Sequence, residues 1–126
     1  MRDLLAITKA LADRNRVAIL LVLEGRELCV CQIIEIIRLA PSTVSKHLSI
    51  LRQSRLIEDR KDGRWMYYRL AGQDAPAAVR EAIRWVLRSI ADTTDAGIYK
   101  ERLQKILEIA PGELCKGADQ VLRLDN

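Results

Sequence analysis

The chain contains no phenylalanine, and aromatic residues make up only 4% of its 126 positions. An aliphatic core follows. Long apolar runs are missing as well: none approaches the roughly 18 residues that a membrane-crossing helix requires. The opening Met1-Arg2-Asp3 leads into a helical pattern and not a signal peptide. The expectation is a cytoplasmic protein with no membrane partner, whose three cysteines are thiols and not bridges. The single histidine, His47, has no nucleophile beside it, and there is neither a glycine-rich phosphate loop nor a Cys-x-x-Cys pair. These absences argue against an enzyme. Internal repeats and low-complexity segments are absent too. What remains is one small domain with enough apolar content, 49%, for a real core. A layer of helices this small often completes its core against a second copy.

The stretch from Leu39 to Leu70 organises the rest. Pro41 marks a turn, and Ser42 is placed to cap a helix. Val44, Leu48 and Leu51 then form one apolar stripe, with Thr43, Ser45, Lys46, Ser49 and Gln53 on the opposite side. The runs Ile57 to Lys61 and Trp65 to Leu70 flank Asp62-Gly63, which suits a two-residue hairpin with both central residues at positive φ. Arg60, Lys61 and Arg64 crowd its tip. From Ser42 to Arg69 seven basic residues face three acidic ones, a net +4, and the whole chain is also +4. All of the excess therefore sits where a polyanion would bind. The fold class expected is mainly α with a small β-hairpin, a winged helix-turn-helix. Its helix enters the major groove of double-stranded DNA, and its hairpin reaches the neighbouring backbone or minor groove. Lys46, Arg60, Lys61 and Arg64 are the expected phosphate contacts, with Ser42, Thr43 and Ser45 near base edges. His47, at the edge of the apolar face, is a packing residue or a phosphate donor.

Upstream, Leu4, Ile7, Thr8 and Leu11 predict a short first helix. Asp13 caps a second, with Val17, Leu20 and Leu21 inward and Gly25 ending it. A third helix carries Ile33, Ile36 and Ile37 and runs to about Arg38. Cys29 and Cys31 sit at or just before its start. In a regular helix, residues i and i+2 lie about 200° apart around the axis, whereas in an extended stretch they share a side. One ion held by both sulfurs therefore favours a locally extended or distorted backbone, in competition with the first turn of the helix that supports the reader. The bland alternative is a pair of inert buried cysteines.

With these residues in view, the chain resembles the ArsR/SmtB family of bacterial metalloregulatory repressors. The likeness is carried by Lys9-Ala10-Leu11-Ala12-Asp13-Arg14-Asn15-Arg16, by the cysteine box Glu27-Leu28-Cys29-Val30-Cys31, and by Ser42-Thr43-Val44-Ser45-Lys46-His47-Leu48 with Asp62-Gly63-Arg64-Trp65. It covers roughly residues 3 to 90. The resemblance implies a homodimer that sits on a palindromic operator when metal-free and lets go when its inducer binds. The box is most typical of sensors of trivalent arsenic or antimony. Many such sensors place a third cysteine three residues beyond the box, where this chain has Ile34. Trivalent arsenic takes thiolate sulfur, usually three. Cys115, on a tail expected to be flexible and coming from the same or the partner subunit, is the candidate third ligand beside Cys29 and Cys31. The alternative for Cys115 is a bystander. Relatives that sense zinc use histidines and carboxylates that this chain lacks. The first helix begins almost at Met1, leaving no arm of the kind others use for cadmium or lead. Cadmium, lead or thiol oxidation remain the alternative stimuli.

Beyond the hairpin, Asp74 and Pro76 open another helix, with Pro76 in its first turn. Val79, Ile83, Val86 and Ile90 form a seam able to meet its equivalent in a dimer, together with the first helix. Trp85 and Leu87 are expected in the core. A further amphipathic segment spans about Gly97 to Ile109. The organisation expected is residues 1–92 for DNA binding and dimerisation and 93–126 for a helix and tail carrying Cys115.

Overall fold

The computed structural model describes residues 1–115; the remainder of the expected tail, 116–126, lies outside them. Asp13 accepts hydrogen bonds from the backbone N–H of Asn15 (2.8 Å) and Arg16 (3.3 Å), so α1 (Arg2–Leu11) gives way at once to α2 (Arg14–Val22). α2 is the central helix. Ala18 to Leu23 are all buried, as befits a helix that other elements surround. Gly25 adopts the expected left-handed φ of 74°. A two-residue strand, β1 (Leu28–Cys29), leads directly into α3 (Val30–Ile37). Arg38, at φ 62°, ends α3 and swings the chain into α4 (Pro41–Gln53). Together α3 and α4 are the helix-turn-helix.

Two boundaries depart from expectation. Ser42 does not cap α4: Ala40 is the cap and Pro41 is already the first helical residue. Proline loses nothing there, because its missing N–H would have had no intrahelical partner. Ser42 is thereby released to the exposed first turn. Of the hairpin strands, β3 (Trp65–Leu70) has the expected bounds, while β2 (Ile57–Asp62) reaches one residue further than expected. Asp62 pairs with Trp65, so the turn residues are Gly63 and Arg64, and of these only Gly63 has positive φ (64°). That matches the hairpin turn with glycine in its first central position. β1 pairs antiparallel with β3, making a three-stranded sheet in the order β1-β3-β2.

α5 (Ala77–Ile90) starts after Pro76, which is its cap and not a first-turn residue. Its seam points inward: Val79, Ile83 and Val86 are buried within the protomer's own core. The expectation that this seam faces a second copy is overturned, because α1 and α2 already cover it. Trp85, expected in the core, is 60% exposed, as are Leu4 (59%) and Leu5 (57%) on α1. Periodicity located the apolar stripe of α5 but not its partner. α6 (Thr94–Leu107) is capped by Thr93 and buries Ala96 and Leu103 against α2 and α3. Arg102 donates to the Ile36 carbonyl (3.1 Å) and stacks over Tyr99, tying α6 to the last turn of α3. No described helix is long and apolar enough to cross a membrane.

Burial pushes the Asp13 carboxyl upward, but the Arg16 and Asn15 N–H groups, with the Arg16 charge, hold it below its ordinary value of 3.8. A depressed carboxylate contributes stability above its unfolded pKa and loses it as pH falls through the folded one. Asp13→Ala should therefore cost about 1 kcal/mol near neutrality. In urea melts the difference between the two proteins should close as pH drops below 3.8; a gap that persisted in acid would contradict the cap.

Candidate metal centre and nucleic-acid interface

Cys29 is the last residue of β1 and the N-cap of α3, with extended backbone (φ −79°, ψ 159°). Its N–H donates to the side-chain oxygen of Gln32, a buried residue one turn on (2.9 Å). Cys31 lies in the first turn of α3. Residues 111–115 form a further helical turn that folds back onto this junction. It brings Cys115, expected on a flexible tail, into full burial. The three sulfurs lie within 4.8 Å of one another, all buried, and Cys29 Sγ is 3.7 Å from Cys115 Sγ. Cys31 and Cys115 are disulfide-bonded, and Cys29 is free. The expectation of three thiols is corrected here: the returning turn carries Cys115 to within bonding reach of Cys31. The locally extended backbone expected at the box is present at Cys29, and the sulfurs meet at a strand-to-helix junction with the first turn of α3 intact, so gathering them does not require that turn to distort.

The wing forms one wall of this cluster. Trp65 and Tyr67 of β3 pack against the three cysteines with Val30 and Leu114. Cys29 and Tyr67 are direct strand partners. A Cβ on Gly112 would sit 3.5 Å from the Trp65 ring, so the 111–115 turn lies against that indole. Among the described residues the buried Trp65 Nε1–H has no hydrogen-bond partner. Trp65 was not among the expected site residues; its place directly after the Gly63-Arg64 turn was the available signal. In donor chemistry the cluster is soft and all-sulfur, which suits soft metal or metalloid ions.

Ser42, Thr43, Ser45 and Lys46 are exposed along α4, and His47 is half-buried. Arg60, expected on phosphate, is instead engaged by the cysteine box. It donates to both carboxylate oxygens of Glu27 (2.6 and 2.8 Å) and stacks over Tyr67 (4.7 Å). That hydrogen-bonded pairing holds the Glu27 carboxyl below its ordinary range. Arg52 and Arg69 pair with Asp59 and Glu58. Among the described residues Lys46 and Lys61 enter no ion pair, and Lys61 and Arg64 lie exposed at the hairpin tip.

A gathered cysteine cluster beside a winged helix-turn-helix defines a class, the cysteine-bearing regulators of this fold. The family model described as bacterial regulatory protein, arsR family, matches residues 5–59. The cadmium resistance transcriptional regulatory protein CadC homolog of Staphylococcus aureus is 39% identical over 82 residues, 64% of this chain and 67% of that protein. The arsenical resistance operon repressor of Escherichia coli K12 is 45% identical over 64 residues, 50% of this chain and 55% of that protein. The chain thus spans little more than half the length of that repressor. In structure it is similar to a homodimeric winged helix-turn-helix DNA-binding domain from Mycobacterium bovis (29% identity, TM-score 0.59, 72% of this chain and 80% of that chain). The chain belongs to the ArsR family of bacterial regulatory proteins.

Peptide mapping of unreduced protein, alkylated after unfolding, should recover Cys31 linked to Cys115 and Cys29 alkylated. Recovery of Cys29 in the linkage would refute the pairing.

Proposed function

We propose that the chain is a transcriptional repressor whose homodimer binds a palindromic operator and releases it when trivalent arsenic or antimony is captured by Cys29, Cys31 and Cys115 of one subunit. The convergence of these three sulfurs carries the reading. It is supported by the presence of an arsenical repressor among the relatives. The exposed Leu4, Leu5 and Trp85, on helices α1 and α5 that pack on each other, supply the apolar face for the second copy. Two equivalents of a small thiol reduce Cys31–Cys115 and leave as their own disulfide. The three cysteine thiols then condense with arsenous acid, forming three As–S bonds and three waters with no change in oxidation state. The signal has a short path. The cluster touches both the first helix of the reader pair, through Cys31, and the wing, through Cys29 opposite Tyr67 and through Trp65.

The disulfide favours a second reading, release on oxidation. There the Cys31 and Cys115 thiols pass two electrons and two protons to a peroxide, giving the bridge and water. The two readings part at Cys29. With reduced protein on a fluorescent inverted-repeat operator, Cys29→Ser and Cys115→Ser should each need at least about tenfold more arsenite for release, the factor given by losing 1.4 kcal/mol of binding. Unchanged arsenite release in both variants would sink the arsenic reading. Peroxide release retained in Cys29→Ser and lost in Cys115→Ser, with arsenite inert, would establish the redox one.

Lys46→Ala should weaken all operators about equally and flatten the salt dependence of binding by roughly one unit. Untouched affinity and slope would misplace the DNA face.

A further inference from the structure

Arg16 ties together three helices. Its backbone N–H belongs to the Asp13 cap of α2. Its Nε donates to the Ala10 carbonyl (2.8 Å) and its Nη2 to the Lys9 carbonyl (2.9 Å), in the last turn of α1. The Lys9 carbonyl also accepts the Ala12 N–H, and at this end of a helix a cation is favoured. Its remaining terminal nitrogen, Nη1, lies 3.2 Å from Nδ1 of His47 on α4. A guanidinium has only donors. His47 Nδ1 must therefore accept, through its lone pair. A neutral imidazole carries one proton, and with Nδ1 bare that proton is on Nε2.

We propose that Arg16 is a positioning residue for DNA binding: it holds His47 in the Nε2–H tautomer so that this N–H donates to an operator phosphate, and it fixes the reader helix to α1. His47 stands one helical turn after the exposed Thr43 and next to the exposed Lys46, at the border of the face expected in the groove. Phosphate contacts of this flanking kind set the register of a reader helix on the duplex. Because α1 also bears the exposed Leu4 and Leu5, the same guanidinium links the face available to a second copy with the angle at which α4 is presented. Asp13 and Arg16 are the charged groups against the ring. The proposal rests on α4 as the reader and is independent of the inducer.

His47 is the only histidine, so long-range proton–nitrogen NMR of the full-length protein yields one imidazole pattern. At alkaline pH the native protein should show the pure Nε2–H form, and Arg16→Gln should show a mixture of tautomers. At fixed salt, Arg16→Gln and His47→Ala should each weaken operator binding about fivefold, as loss of one modest hydrogen bond does. The double variant should be no weaker than His47→Ala within about twofold, since coupled losses do not add. His47→Gln, which keeps a terminal N–H donor, should recover most of the binding. An Nδ1–H tautomer in the native protein would overturn the proposal without any variant, whether or not Arg16→Gln folds. Additive losses would overturn it too, as would a silent His47→Ala where Lys46→Ala weakens binding. If both Lys46→Ala and His47→Ala were silent, the assignment of α4 as reader would fail first.

Discussion

Two residues of extended backbone, Leu28 and Cys29, join the sheet of the wing to the first helix of the reader pair. Cys29 lies opposite Tyr67 in the sheet and is at the same time the cap of α3. Nothing larger could place a sulfur at the meeting point of both DNA-facing parts. A cysteine further into α3 would be carried around the helix axis, and one earlier in the chain would lie away from α3. The junction also explains how residues i and i+2 present sulfur to one point. The strand supplies one direction and the first helical turn the other. The returning 111–115 turn closes the cluster from the far side, resting on Trp65.

The C-terminal arm thereby holds α3 at both ends. Arg102 of α6 hydrogen-bonds the Ile36 carbonyl near its C-terminus, and Cys115 meets Cys29 and Cys31 at its N-terminus. α3 is short, eight residues, and a helix of that length depends on tertiary packing for its place. Whatever changes the bonding among the sulfurs acts on one of two anchors. The Glu27–Arg60 pair adds a third tie, from the cysteine box to the wing strand β2, and neutralises Arg60 within the protomer.

Local features were readable from residues alone. The Asp13 cap, the apolar stripe of α4, the two hairpin strands and the cysteine box all express themselves within a few residues of chain. The misreadings share a cause. Ser42 and Pro41 are both good starts for a helix, and only the backbone decides between them. β1 is two residues long, too short for alternation to register. The stripe of α5 was correctly periodic, but a stripe names a buried face without naming what covers it. Here the protomer's own helices cover it, leaving Trp85 outside. The pairing of Cys31 with Cys115 spans 84 residues and that of Glu27 with Arg60 spans 33, distances over which no local pattern reports.

The proposed inducer site is a single centre built from three sulfurs of one chain. X-ray absorption at the arsenic edge, on the reduced protein loaded with one equivalent of arsenite, counts those sulfurs directly. Three sulfur neighbours in the native protein and two in the Cys115→Ser variant are expected. Two in the native protein, or three in the variant, would contradict it.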